Sequence, residues 1–441
     1  MPHHLLSFLG TSDYKECTYF HEAFSFQTSY SSQAIAHYIL LQDSATEGLK
    51  TTLFVTHTAA QKNREKLKQK WDSCTPLHFS EIPEGGGEDS YWAIFEAINQ
   101  AVADTDSVWL DITHSFRYLP MLAYAVLQYL QDVRGIQVKG IYYGAAEVLG
   151  PPKEWPTDPS ECRIPLHNLT PFIQVNQWAG ALRTLKHSGA ANQIRKLTDN
   201  KALPLIKQSK GKDTQAKALK QLGIALETWS HQIATCRGKD LIDSVIGERI
   251  DDFIQVIGTQ MVPPLAHQFE QLKEQFSKVR KGRVQNIFIA AEWCASRGLS
   301  QQTWTLLQEG LITYFTLLWR DQLEQVFPVE NKSPDIKKKV FVQRRELVAQ
   351  VFAVSAYNIP IKQWKAPLCK YSGIGQALQD ALHTDLAQRF AEISADRNDI
   401  NHAGFDQNAA DHKKIAQRAQ QKILDVKALL PEAFKHTDNQ S

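Results

Sequence analysis

Residues 110–120 read L-D-I-T-H-S-F-R-Y-L-P, directly after the apolar pair V-W at 108–109. An apolar strand ends here. Before the helical run M-L-A-Y-A-V-L-Q-Y-L (121–130) begins, the chain sets down Asp111, Thr113, His114, Ser115 and Arg117. An acid, two hydroxyls, an imidazole and a guanidinium at a strand-to-helix junction have two readings. One is structural: Thr113 or Ser115 caps the helix, Pro120 fills its first turn, and Asp111 bonds nearby backbone N–H groups. The other is a ligand site, because parallel sheets bind ligands beyond the carboxyl ends of their strands.

Working outward, the neighbouring segments favour such a sheet. Apolar strands are expected at 5–10, 49–56, 108–112 and 138–144, with helices at 33–41, 65–71 and 90–102 between them. Strands alternating with helices at this spacing predict a doubly wound, Rossmann-like parallel sheet. Each strand ends in small or hydrogen-bonding residues: G-T-S-D-Y (10–14), T-H-T-A-A-Q-K-N (56–63), D-I-T-H-S-F-R (111–117) and Y-Y-G-A-A-E (142–147). Side by side on one rim, they offer backbone N–H groups, hydroxyls, His57, His114, Arg117 and tyrosine rings such as Tyr143, beside Gly144. Such an inventory suits an anionic ligand carrying aromatic bases.

From about Trp178 the pattern changes to helices only. Trp304, Leu307, Leu311, Tyr314 and Leu318 recur at helical spacing, as do Ile415, Ala419, Ile423, Val426 and Leu430. P-P-K-E-W-P-T-D-P (151–159) reads as an excursion late in the first domain. The expected organisation is therefore α/β over residues 1–175 and all-α over 176–441.

With 441 residues, two domains are the natural prior. No apolar run approaches the roughly 20 residues that span a bilayer. The N-terminus lacks the basic flank and long apolar centre of a secretion signal. Cys17, Cys74, Cys162, Cys236, Cys294 and Cys369 form no C-x-x-C pair, which argues against a disulfide framework or a thiolate zinc site. A soluble cytoplasmic protein with no membrane contact is expected. The net charge of +2 decides little about partners. A local excess of eight Lys or Arg over two Asp between Arg195 and Lys220 reads either as a phosphate-attracting surface or as a solvated basic loop. K-K-K-V-F-V-Q-R-R (337–345) likewise reads as an RNA contact or a solvated helix face. No G-x-G-x-x-G, Walker A or H-E-x-x-H sequence occurs, which disfavours nicotinamide enzymes and P-loop NTPases.

F-L-G-T-S-D-Y (8–14), L-D-I-T-H-S-F-R (110–117) and I-Y-Y-G-A (141–145) resemble the sensor domain of CRISPR-associated Rossmann-fold (CARF) proteins. The resemblance is to the "DxTHG" family that accompanies type III systems, with Ser115 standing where the motif's glycine is usual. It implies a pocket, shared by two chains, that binds cyclic oligoadenylate, the tetra-adenylate ring first and the hexa-adenylate second. Gly10, Thr11, Ser12 and Tyr14 would line one side, and Thr113, His114, Ser115 and Arg117 the other. Thr56, His57, Asp111, Tyr143 and Gly144 complete the candidate set. A C2 homodimer would match the symmetry of the ring, with higher assembly left open.

Residues 397–402 read R-N-D-I-N-H. RNA cleavage needs a base for the 2′-hydroxyl, an acid for the leaving oxygen and a cation for the phosphorane. Histidine titrates near neutrality and arginine carries a permanent forked charge. Five positions is about one and a half helical turns, an imperfect spacing for one shared face. In an all-helical domain behind a CARF-like sensor, the hexapeptide resembles the signature of HEPN ribonucleases. That resemblance implies a metal-independent, single-stranded RNA endonuclease without a resident cofactor or stable DNA binding. Arg397 would stabilise phosphate charge, His402 would be the acid/base group, and Asn398 would orient them. Two other readings remain: a ring nuclease in which the sensor pocket degrades its own ligand, and a non-catalytic ligand-responsive regulator.

Overall fold

The computed structural model describes residues 3–42, 48–114, 116–330, 332–405 and 409–434. It divides into two compact units, Met1–Asn176 and Gln177–Ser441.

The first unit is built on eight strands: β1 (His3–Leu9), β2 (Cys17–His21), β3 (Phe24–Thr28), β4 (Leu49–Val55), β5 (Leu77–Glu81), β6 (Ser107–Asp111), β7 (Gln137–Gly144) and β8 (Arg163–Asn168). They form one sheet in the order β3-β2-β8-β7-β6-β1-β4-β5. The run β7-β6-β1-β4-β5 is parallel throughout. Antiparallel pairing enters at β2–β3 and β7–β8, so the sheet is mixed at one side.

Helices α1 (Ser31–Gln42), α2 (His57–Ala59), α3 (Glu65–Lys70), α4 (Glu88–Ala101) and α5 (Tyr118–Arg134) cover both faces. The period of two along β1 explains how. Leu6 and Phe8 face Ile94 and Ile98 of α4 and Leu127 and Leu130 of α5. Leu5 joins Ile35 and Ile39 of α1, while Leu9 joins Leu67 of α3. The strands of a doubly wound sheet are buried on both sides, and all of β6 is buried.

Four strands go beyond the sequence expectation. β2 and β3 are a hairpin turning at Glu22, whose φ is +51°. β5 is a short edge strand. β8 contains Pro165, which cannot donate to a ladder. The sheet tolerates it because β8 pairs with β2 through Arg163–Pro165 and with β7 through Leu166–Asn168. Pro165 thus sits where the strand passes from one neighbour to the other.

Among its described residues the second unit contains helices and no strand. Its core gathers Trp229, Phe276, Phe288, Trp304 and Phe352. The stripe on the helix Ser300–Leu318 buries Trp304, Leu307 and Leu311, but Leu318, its last residue, is exposed, contrary to expectation. On the helix His412–Leu429, Ala419, Ile423 and Val426 are buried as the spacing predicts. Of the eight cations from Arg195 to Lys220, six lie on the helices Asn192–Gln208 and Thr214–Ala234, and Lys210 and Lys212 lie in the turn between them. Arg195 pairs with Asp199 at 2.9 Å. In the 337–345 run, Arg344 is buried on Glu324 and the Phe327 carbonyl, and Arg345 holds Glu309 and Thr313. Those two cations serve the interior of the bundle. Among the described residues, no helix is long and apolar enough to cross a membrane.

Candidate functional site

The carboxyl ends of β1, β4 and β6 enclose a cavity of about 210 Å³. Seven of the residues picked from the sequence line it: Gly10, Thr11, Ser12, Tyr14, Thr56, Thr113 and His114. Phe8, Phe54, Ile82, Phe116 and Leu119 add an apolar side that sequence reasoning missed.

The loop after β1 is held from within. The Gly10 N–H donates to the Tyr14 hydroxyl at 2.7 Å. Asn63, in the π-turn between α2 and α3, is buried and donates to the carbonyls of Gly10 and Ser12, both at 2.9 Å. A Cβ on Gly10 would lie 3.3 Å from the Tyr14 hydroxyl, so a side chain there would push that hydroxyl back by a few tenths of an ångström. Burial pushes the Tyr14 phenol up, which keeps it a neutral hydrogen-bonding group. The sign that Asn63 matters was an amide side chain in the polar segment after β4. Its targets lie more than fifty residues away in sequence, so no local pattern revealed them.

Asp111 lies behind the lining rather than in it. Its Oδ2 accepts from Ser7 and Ser31, each at 2.8 Å. Its Oδ1 accepts from the Thr113 N–H at 2.9 Å and the Thr113 hydroxyl at 2.6 Å. The Thr113 hydroxyl in turn accepts from the Gly144 N–H at 2.8 Å. Asp111 therefore joins the ends of β1, α1, β6 and β7, and Gly144 takes part through its backbone. A Cβ on Gly144 would meet Tyr19 at 3.0 Å and Thr113 at 3.2 Å.

The His114 ring packs edge-on against Tyr14, with centroids 4.7 Å apart. The residue as a whole is half-buried, yet Nε2 is out of reach of solvent and has no hydrogen-bond partner. Burial lowers its pKa, with the Asp111 carboxylate opposing, so the imidazole is held neutral. A buried, unpartnered ring nitrogen on a cavity wall is costly unless a ligand completes it.

Of the described candidates still to be placed, only Thr56 lines the cavity. Thr56 caps α2, accepting from the Ala59 N–H at 3.3 Å. His57 is the first residue of α2, is exposed, and pairs with Gln61 at 2.8 Å outside the cavity. Tyr143 donates to Glu147 at 2.8 Å. Arg117 is exposed and is the N-cap residue of α5, where no side chain supplies a cap bond. Thr113, spent on Asp111 and Gly144, does not cap α5. Ser115 lies outside the described residues. Phe116 is 48% exposed and stacks nearly parallel to Tyr118, with centroids 6.2 Å apart. It gives the cavity mouth an aromatic face.

In the second unit, Arg397, Asn398 and His402 occupy the end of the helix Thr384–Asn401. His402 is the C-cap residue, its N–H bonded to the carbonyls of Asn398 and Ile400. Gly404, with φ +73°, returns its N–H to the Asp399 carbonyl at 3.0 Å and ends the helix. Arg397 is half-buried, with its Nε buried and unpartnered, and it lies close enough to Cys236 to act on that thiol. Asn398 and His402 are exposed. Five residues of helix place Arg397 and His402 about 140° apart around the axis. Asp399 is buried and accepts from the Ala410 N–H at 2.8 Å, tying down the chain beyond the helix.

Residues 4–147 match the family described as the CARF domain of the CRISPR system endoribonuclease Csx1. The chain is also similar to the CRISPR-associated protein MJ1674 of Methanocaldococcus jannaschii, at 29% identity over 122 residues. That alignment covers 27% of this chain and 18% of the relative, so the chain spans less than a fifth of the relative's length. The matched segment holds the parallel strands, the Gly10 loop and the Asp111–His114 cluster. Over most of its length the first unit is thus similar to a CARF domain, and the chain is similar in that part to CRISPR-associated proteins.

Proposed function

We propose that the chain is a cyclic-oligoadenylate-activated, metal-independent single-stranded RNA endonuclease of type III CRISPR defence. The cavity at the ends of β1, β4 and β6 carries the reading. It combines backbone N–H groups, hydroxyls and the unpartnered His114 imidazole with the aromatic face of Phe116. Ordinary small-molecule sites enclose roughly 300–1,000 Å³. The 210 Å³ found in one chain falls below that range and is far too small for a ring of four or six nucleotides. A second copy related by a two-fold axis would double the site and match the ring's symmetry. Cyclic tetra-adenylate is the first choice of ligand and cyclic hexa-adenylate the second.

Cleavage is assigned to the helix end at Arg397–His402. The 2′-oxygen attacks the adjacent phosphorus while the bond to the 5′-oxygen breaks, leaving a 2′,3′-cyclic phosphate and a 5′-hydroxyl. His402 moves protons, Arg397 neutralises the phosphorane, and Asn398 orients them. Their separation around the helix within one chain favours a composite site made by two copies.

The test is to add cyclic tri-, tetra- and hexa-adenylate to purified protein and single-stranded RNA in EDTA. Cleavage ending in 2′,3′-cyclic phosphates is expected with one ring size. Silence with every ring would overturn the activation. A second reading, a ring nuclease, is favoured by His114 beside Thr11 and Ser12. Loss of bound ring over time in a His402→Ala protein would reveal it. Ligand binding without cleavage of either RNA or ring would leave the non-catalytic regulator.

A further inference from the structure

On the first unit, away from the strand-end cavity, His37, Asp72 and Cys74 place one nitrogen, one carboxylate oxygen and one sulfur within 4.8 Å of one another. We propose that these three side chains form a mononuclear zinc site that clasps α1 to the loop leading into β5.

The donor set selects the metal. A thiolate, an imidazole and a carboxylate together suit a borderline-soft ion, whereas calcium and magnesium take six or more oxygens. Zinc bonds of about 2.0–2.3 Å put tetrahedral ligand atoms about 3.3–3.8 Å apart. The His37 Nε2–Asp72 Oδ2 contact, now 2.6 Å, need open only by about an ångström to admit the ion. Three protein ligands leave the fourth position to water.

The surroundings hold these donors in place. Between the two loop ligands, Ser73 adopts a left-handed φ of +62°, an unusual choice for a non-glycine residue. The Cys74 N–H donates to Asp72 Oδ1 at 3.2 Å, folding the tripeptide into one compact turn. Trp71 closes the loop by donating its indole N–H to the Thr75 carbonyl at 3.0 Å. Thr75 is itself fixed to Thr51 of β4 at 2.7 Å. On the helix side, Phe26 stacks on the His37 ring with centroids 4.0 Å apart and sets its plane. Gln33, one turn before His37, bonds Thr28 and donates to the Lys70 carbonyl at 3.2 Å, fixing α1 against the end of α3. The stacked His37 ring and the turn at Ser73 restrict where the three donors can point. The sequence shows no zinc spacing because one ligand comes from a helix more than thirty residues before the other two.

The clasp would brace α1, whose first residue, Ser31, holds Asp111 at the floor of the cavity. The test uses the full chain, stripped of metal and titrated with Zn²⁺ or Co²⁺. One equivalent should bind, with the Co²⁺ adduct showing a thiolate charge-transfer band. Cys74→Ser should abolish that band, and His37→Ala should weaken binding at least ten-fold. A second arm needs no variant: Zn²⁺ should slow alkylation of Cys74 at least ten-fold while the exposed Cys369 reacts unchanged. The proposal is overturned if the band survives in Cys74→Ser, or if zinc leaves Cys74 alkylation unaltered. In either case the cluster is a His–Asp pair beside a thiol and nothing more.

Discussion

The two candidate sites differ in how complete one chain makes them. At the strand ends, Asp111 uses both oxygens on four donors, and Asn63 and Tyr14 lock the Gly10 loop. The site is rigid before any ligand arrives. At the end of the helix Thr384–Asn401, the neighbours are well tied but the reactive groups are not. Asp396 holds Arg418 at 3.0 Å and Asp399 holds the Ala410 N–H, while Arg397 Nε has no partner and His402 faces solvent. Under the proposed function, a preorganised receptor and an unfinished catalytic end are what allosteric activation needs, because binding at the first must complete the second.

The sharpest way to break that contrast is to remove the unfinished end. Arg397→Ala and His402→Ala should each lower RNA cleavage by about 10³-fold or more, read as turnover of a labelled single strand. Ring binding, read by calorimetry, should stay within two-fold of the parent. Cleavage at the parental rate in either variant would remove the catalytic assignment and leave the helix end a structural cap.

The opposite experiment strikes the receptor. Asp111→Ala leaves Ser7, Ser31 and Thr113 without their buried acceptor. It should destabilise the first unit by about 2–4 kcal/mol, measured by urea unfolding. Ring affinity should fall with it, since the Thr113 bond to Gly144 loses its anchor. Unchanged stability would mean that Asp111 is dispensable to the frame and belongs to the ligand instead.

Much of this frame was legible in the sequence because strand burial and polar strand ends leave strong local patterns. L-L-S-F-L-G-T-S and V-W-L-D-I-T-H show an apolar run stopping at hydroxyls, which is the physics of a sheet edge. The missed parts share a different cause. The β2–β3 hairpin turns at Glu22 and Ala23, without the Asn-Gly or Asp-Gly that announces such turns. β8 carries a proline, tolerable only because its partner changes midway. Asn63 belongs to the site through bonds to a segment more than fifty residues away. His57 and Tyr143 stand at strand ends too, but their side chains bond Gln61 and Glu147 instead of facing the cavity. Sequence located the rim; tertiary packing chose which rim residues face inward.

A smaller effect tests whether the apolar side of the receptor reads bases. Phe116→Ala should cost about 1–3 kcal/mol of ring affinity if an adenine stacks on it, and little stability, because the ring is half in solvent. A loss confined to adenine rings, with cyclic oligouridylates bound as weakly as before, would assign the face to base recognition. Equal affinity in the parent and the variant would reduce Phe116 to a partner for Tyr118.

The gentlest probe is pH, read at groups whose shifts differ in sign. His4 in β1 is buried on Thr52, and burial lowers its pKa to about 3. His114 is lowered for the same reason. Both bind protons more readily in the unfolded chain, near the ordinary value of about 6.5. The first unit should therefore be fully stabilised above that pH and lose stability as pH falls through it, by at most about 1.4 kcal/mol per pH unit per histidine. Asp396 in the second unit behaves oppositely: burial raises its carboxyl despite Arg418, so its contribution is lost as pH rises. Hydrogen exchange between pH 7 and 5, corrected for intrinsic rates, should show β1 and β4 losing protection relative to the helix Ser300–Leu318. His4→Gln should remove part of that loss. Saturation with the ring should remove the part due to His114, because phosphates beside a neutral imidazole favour its protonation and tighten binding as pH falls. If the ring leaves the pH slope unchanged, His114 is a satisfied wall residue, and the receptor reads its ligand through backbone and hydroxyls alone.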